Sequence, residues 1–156
     1  TEIYTLSLHD ALPISIYFVD VPGAKQSVIN IGHYSIPRTS EDYYPGTVMN
    51  YKLGGSFNGV VNLILREEKG YTYGARTYFS AGKSYGYFVA AASVRTTATQ
   101  ESVQIFKDEM EKYRNGISTE DLEFTKNALV KSNALNFETL GSLHGMLRNI
   151  SAYNLP

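Results

Sequence analysis

The sequence predicts a single α+β domain in which a mostly antiparallel sheet is covered on one face by helices. Three observations carry that expectation. Residues 71–81 and 85–95 alternate with period two around a Gly82-Lys83-Ser84 break, which is the pattern of a hairpin. Residues 42–69 and 99–133 place apolar side chains at helical spacing. The order is two strands, two helices, a hairpin, then helices, and it segregates the helices to one side of an antiparallel sheet. A chain of 156 residues is long enough for one cored domain and short for two.

Each element has a local cause. Residues 16–20 (IYFVD) form an apolar, aromatic run stopped by Pro22 and Gly23, which predicts a strand ending in a turn. A second strand is expected at 26–34. Ser40, Glu41 and Asp42 open a helix with Tyr44, Val48 and Tyr51 near one face; Pro45 fits its first turn, and Gly54 with Gly55 should end it. A further helix over 58–69 turns Val61, Ile64 and Leu65 inward, with Gly70 as its C-terminal cap. In the first hairpin strand, alternation puts Tyr71, Tyr73, Ala75, Thr77 and Phe79 on one face, so Tyr73 shares its face with apolar neighbours. Thr99 opens a helix carrying Val103, Phe106, Met110 and Tyr113, stopped at Gly116. Ser118 and Asp121 read as a capping box for a helix that buries Leu122, Thr125, Leu129 and Ser132. A last helix is expected over 139–152, interrupted at Gly141 and Gly145.

Composition narrows the partners. Fourteen basic residues against fifteen acidic ones create no field that would gather nucleic acid or an anionic membrane. No apolar run approaches the roughly 20 residues of a membrane-spanning helix. With no cysteine, the chain has no disulfide, thiolate nucleophile or thiolate metal ligand, and its redox compartment is not fixed. Thirteen tyrosines are many for this length, and their strand-like alternation suits a half-buried sheet face.

The first fourteen residues, TEIYTLSLHDALPI, read as the in-frame translation of a widely used short-read sequencing adapter. On that reading residues 1–15 are a non-native leader, Ser15 is the junction, and the domain runs over 16–156. Such segments are set aside in reasoning about fold.

The most specific motif is LREEKGYTYG at 65–74, which sets Arg66 seven residues before Tyr73 across a helix end. It is preceded by DYYPGTVMNYKLGGSF at 42–57 and by AKQSVINIGH and IPR within 24–38, and followed by SVRTTAT at 93–99. These four blocks in order closely resemble the C-terminal-type domain of the M16 metallopeptidases, the group of insulinase, pitrilysin and the mitochondrial processing peptidase. The resemblance covers residues 16 to about 143 and implies a sheet of about six strands. It also implies that Arg66 and Tyr73 contact substrate peptide, while zinc sits in a separate homologous domain or subunit carrying an HxxEH motif. Gly59-Val60-Val61-Asn62 stands where such domains often read SRLN, and Gly59 weakens the helix start there.

The residues agree on where metal is not expected. His33 is followed by Tyr34-Ser35-Ile36-Pro37 and His144 by Gly145-Met146-Leu147-Arg148, and neither gives the ligand spacing of a zinc site. His9 falls in the adapter-like segment. No metal ligand and no bound cofactor are therefore assigned to this chain; zinc is expected in the partner domain. Tyr73 is the candidate catalytic donor, because a phenol aimed at the carbonyl oxygen of a peptide stabilises the charge that hydrolysis builds there. Arg66 is the candidate clamp for substrate carbonyls, because its guanidinium offers fixed donors and keeps its charge. Without the resemblance, Arg66 beside Glu67 and Glu68 would read as a solvated charge at a helix end, and Tyr73 as core.

The partners implied are an extended peptide or protein substrate and an HxxEH-bearing domain, on the same polypeptide or on a separate subunit. The alternative is a noncatalytic scaffold or assembly subunit of the same fold.

Overall fold

The computed structural model describes residues 3–7 and 15–154. Two strands, β1 (Ile3–Ser7) and β2 (Ser15–Val19), pair antiparallel as a separate ribbon. The main sheet contains β3 (Gln26–Ser35), β4 (Thr72–Ala81) and β5 (Gly86–Arg95), all antiparallel, in the order β3-β5-β4. The expected six-stranded sheet is thus corrected to three strands. Strand β2 pairs with β1 and not with β3, and the described chain after β5 is helical. Of the segment read as adapter, residues 1–2 and 8–14, with His9, lie outside the described residues.

Helices cover one face. They are α1 (Tyr43–Asn50), which runs on as a π-helical turn over Tyr51–Gly55, and α2 (Val60–Asn62), which runs on likewise over Leu63–Glu68. After β5 come α3 (Thr99–Tyr113), α4 (Thr119–Asn133) and α5 (Leu140–Tyr153). From the sheet, Ile29, Ala75, Phe88, Ala90, Ala92 and Val94 meet Leu53, Val61, Leu65 and Phe106 from the helices in one core. The opposite face leaves Val28, Tyr34, Tyr78 and Tyr87 exposed.

Several expectations change in detail. Gly54 and Gly55 end the first helical run as expected, but as the close of a π turn, and the chain becomes extended at Ser56. Contact requires glycine there, since a Cβ on Gly54 would lie 2.7 Å from Thr77 N, Thr77 Oγ1 and Val61 Cγ2. The inward positions of that helix are Asn50, Leu53 and Gly54, whereas Tyr44 lies outside against the Arg38 guanidinium, 4.6 Å from its ring centre. Gly59 stands extended before α2, which starts at Val60. Gly70, at φ +62°, caps the second helical run as expected: its N–H donates to Arg66 O, and that of Tyr71 to Leu65 O. Gly116, at φ +90°, follows α3. Ser118 caps α4, its Oγ accepting from Asp121 N at 3.0 Å, but Ser132 is exposed and only Thr125 of that helix is fully buried. Helix α5 runs without interruption through Gly141 and Gly145, held at its start by Thr139 accepting from Ser142 N.

The helices are tied together at Tyr113. Its hydroxyl donates to Met49 O at 2.6 Å, and burial, aided by the Asp121 charge, pushes its pKa up to about 12. The same Asp121 pairs with Lys52 at 2.8 Å, linking the end of α1 to α4.

Two predictions follow from these contacts. A phenol whose folded pKa exceeds its unfolded value near 10 contributes stability that is complete below pH 10 and fades as pH rises toward 12. The Tyr113→Phe variant should therefore lose stability less steeply than the parent between about pH 10 and 12 in chemical denaturation; equal slopes would refute it. Strand β1 meets mainly β2, so deleting residues 1–14 should leave the thermal midpoint of the domain unchanged by calorimetry, and a clear drop would show that the segment is integral.

Candidate functional site

Strand β4 is an edge of the sheet, and its outer backbone groups are met by two buried asparagines. From α1, Asn50 (6% exposed) donates through Nδ2 to Thr77 O at 2.9 Å and accepts at Oδ1 from Thr77 Oγ1 at 2.6 Å. From α2, Asn62 (3% exposed) accepts at Oδ1 from Ala75 N at 2.9 Å and donates through Nδ2 to Phe57 O at 2.7 Å. Sequence reasoning passed over both. An asparagine inside a helical run reads as neutral until its partners on another element are known.

Two residues before Ala75 the ladder slips. Thr72 pairs with Val94 and Ala75 with Ala92, so three steps on β4 match two on β5. This one-residue bulge overturns the expected placement of Tyr73. Ala75 and Thr77 are buried as the alternation requires, but Tyr73 is 91% exposed. A bulge shifts the alternation of everything on one side of it, and no local sequence pattern announces this one.

Arg66 lies in the π turn that follows α2. Its guanidinium sits 4.6 Å from the Phe57 ring centre, and its Nε is 3.4 Å from Glu67 Oε1. The fold brings Arg66 and Tyr73 to one cleft of about 500 Å³, shared with Gln26, Glu67, Tyr71, Thr72 and Arg95. Tyr73 and Gln26 also border a larger groove of about 640 Å³ that runs past Val28, Phe57 and Gly74. The flank of the cleft is braced by charge. Tyr71 donates to Glu101 Oε2 at 2.6 Å, Lys69 meets Glu101 Oε1 at 2.8 Å, and the Arg95 guanidinium lies 4.6 Å from the Tyr71 ring centre. The hydrogen bonds from Lys69 and then Tyr71 hold the Glu101 carboxyl below its ordinary range, and Glu101 in turn raises Lys69. Tyr71 packs on the core edge as expected, while Lys69 reaches across to α3.

The cleft does not suit zinc. Its one carboxylate, Glu67, faces the Arg66 guanidinium, and among the described residues no group of three His, Asp or Glu side chains is placed to hold a metal. His33 stacks on Phe88 at 5.5 Å and binds its neighbour's carbonyl, and His144 is an exposed residue of α5. No described helix is long and apolar enough to cross a membrane.

An antiparallel sheet roofed on one side by helices, with its edge strand closed by α1 and α2, places the chain among the α+β domains of M16 peptidases. It belongs to the family described as the Peptidase M16 inactive domain, whose model matches residues 8–129. The match opens inside the adapter-like segment. A curated relative, an uncharacterized zinc protease of Streptomyces coelicolor, is 26% identical over 128 residues, which is 80% of this chain and 28% of that protein. Among solved structures, a peptidase M16 inactive domain from Pseudomonas fluorescens matches with a TM-score of 0.76 at 25% identity, over 85% of this chain and 32% of that one. A protease from Helicobacter pylori shares the fold with a TM-score of 0.72 at 14% identity, over 87% of this chain and 33% of that one. The chain thus spans about a third or less of the length of these relatives.

Asn62→Leu should destabilise the domain by about 1–3 kcal/mol for each of the two backbone groups it leaves unpaired, most of it from buried Ala75. A urea midpoint equal to that of the parent would show that Asn62 does not hold the β4 edge.

Proposed function

We propose that this domain is the substrate-binding, non-zinc half of an M16-type zinc metalloendopeptidase. Its zinc-bearing partner carries the HxxEH motif, on another domain of the same polypeptide or on a separate subunit. The observation that carries the reading is the placement of Tyr73. A tyrosine that plain alternation would bury is turned out by a bulge, onto the same cleft as Arg66. The kinship with a zinc protease supports the reaction class.

The roles follow from the chemistry. Zinc, when bound in the partner, would supply a Lewis acid for the scissile carbonyl and an activated water. In this chain Tyr73 donates a hydrogen bond to the oxygen on which negative charge grows, and its hydroxyl has no competing partner among the described residues. Arg66 binds substrate carbonyls through a guanidinium already oriented by Phe57 and Glu67. Binding through main-chain groups makes the domain tolerant of substrate sequence.

The chain with zinc alone should not cleave a generic extended peptide, and a mixture with an HxxEH-bearing family partner should. Cleavage by the chain alone would overturn the assignment. In the active mixture, Tyr73→Phe should lower kcat by about 10²–10³-fold with little change in KM, since one oxyanion donor is removed. An unchanged kcat would take Tyr73 out of the mechanism.

A further inference from the structure

Tyr73 depends on a local distortion of β4, and the question is what maintains it. Some bulges are kept by a glycine in the left-handed region, which only glycine adopts cheaply. Gly74 is the glycine of this bulge, but it is not among the positive-φ residues, which are Gly23, Gly70, Gly116 and Asn154. A Cβ built on Gly74 would meet only Asn62 Oδ1, at 3.9 Å. Neither backbone conformation nor crowding requires glycine there, so Gly74 does not hold the bulge.

Thr72 does make contacts that can hold it. Its Oγ1 accepts from Gly74 N at 3.1 Å, closing the loop of backbone that contains Tyr73. The same hydroxyl donates to Ser93 O on β5 at 2.7 Å and lies 2.9 Å from Gly74 O. One hydroxyl thus binds the extra residue to its own strand and to the neighbouring strand. On either side the chain returns to fixed partners: Arg95 N donates to Tyr71 O at 3.0 Å, and Ala75 N donates to Asn62 Oδ1.

We propose that Thr72 is a positioning residue that, through its hydroxyl, holds the bulge presenting Tyr73 to the substrate cleft. The proposal rests on the reading of Tyr73 as the donor in peptide hydrolysis. A β-branched residue of the same shape without the hydroxyl fits the strand as well as threonine does. It leaves Gly74 N and Ser93 O without that partner, and the bulge free to relax toward plain alternation. A shift of about 1 Å in a catalytic group can cost about 10²-fold in rate.

The test is a double-mutant cycle in the active mixture with the zinc-bearing partner, comparing Thr72→Val, Thr72→Ser, Tyr73→Phe and Thr72→Val/Tyr73→Phe. The expected result is a kcat for Thr72→Val reduced by about 10-fold or more at little changed KM, restored in Thr72→Ser. In the Tyr73→Phe background, Thr72→Val should add no further loss, because the group it positions is gone. Should Thr72→Val melt below the assay temperature, Thr72→Ala reads the same quantities.

A full loss from Thr72→Val that persists in the Tyr73→Phe background would assign Thr72 a structural role and overturn the proposal. A wild-type kcat for Thr72→Val beside a crippled Tyr73→Phe would overturn it too, while leaving the donor reading standing. A wild-type kcat for Tyr73→Phe would remove the donor itself, and this proposal with it.

Discussion

The closed outer edge of β4 is the constraint on which the rest of the domain depends. An edge strand exposes a row of backbone donors and acceptors that must be paired, hydrated or covered. Here the covering helices are themselves apolar toward the sheet, so the backbone beneath them needs polar partners from those helices. Asn50 and Asn62 provide them at Thr77 and Ala75. An unpaired buried group costs about 1–3 kcal/mol, enough to offset what burying one of Leu53, Val61 or Leu65 contributes. The glycines complete the arrangement. Gly54 lets α1 approach β4 closely, and a Cβ on Gly59 would lie 2.7 Å from Gly54 Cα. The two helical runs can therefore meet backbone to backbone while both reach the same strand.

Features that depend on neighbouring residues were legible in the sequence. Gly70 and Gly116 end helical runs where a left-handed residue is needed, Ser118 caps through Asp121, and the β4–β5 hairpin lies where alternation and Gly82 place it. The core positions Val61, Leu65 and Phe106 follow from helical spacing for the same reason. Arg66 and Tyr73 were legible as a pair from their motif, and the fold gathers them at one cleft. The side of the sheet on which Tyr73 stands was not. It depends on Thr72 meeting the carbonyl of Ser93, twenty-one positions away in sequence. Asn62 was missed for the same physical reason, since its partners are a loop carbonyl and a strand N–H that helical periodicity does not reveal.

The number of strands turned on a different kind of information. Residues 15–19 form a strand, as their apolar and aromatic content predicts, but a strand does not name its partner. In this chain β2 pairs with β1, and Ile16, Tyr17, Phe18 and Val19 all remain exposed. A two-stranded ribbon on its own is marginal in water. The stable unit is the three-stranded sheet with its helices, where every strand has one face in the core.

The two halves of the candidate site are held by different means and joined at one residue. Arg66 is oriented by contacts of its guanidinium with the Phe57 ring and the Glu67 carboxylate. Tyr73 is oriented through its backbone, because the bulge sets the direction of Cβ and the ring only extends it. Asn62 touches both arrangements. One end of its amide fixes Ala75, at the close of the bulge, and the other fixes the carbonyl of Phe57, whose ring supports Arg66. A displacement of α2 along β4 therefore moves Arg66 and Tyr73 together. Both are tied to a buried amide with both ends engaged, and under the proposed function an extended peptide would meet a pair whose geometry is fixed before it arrives.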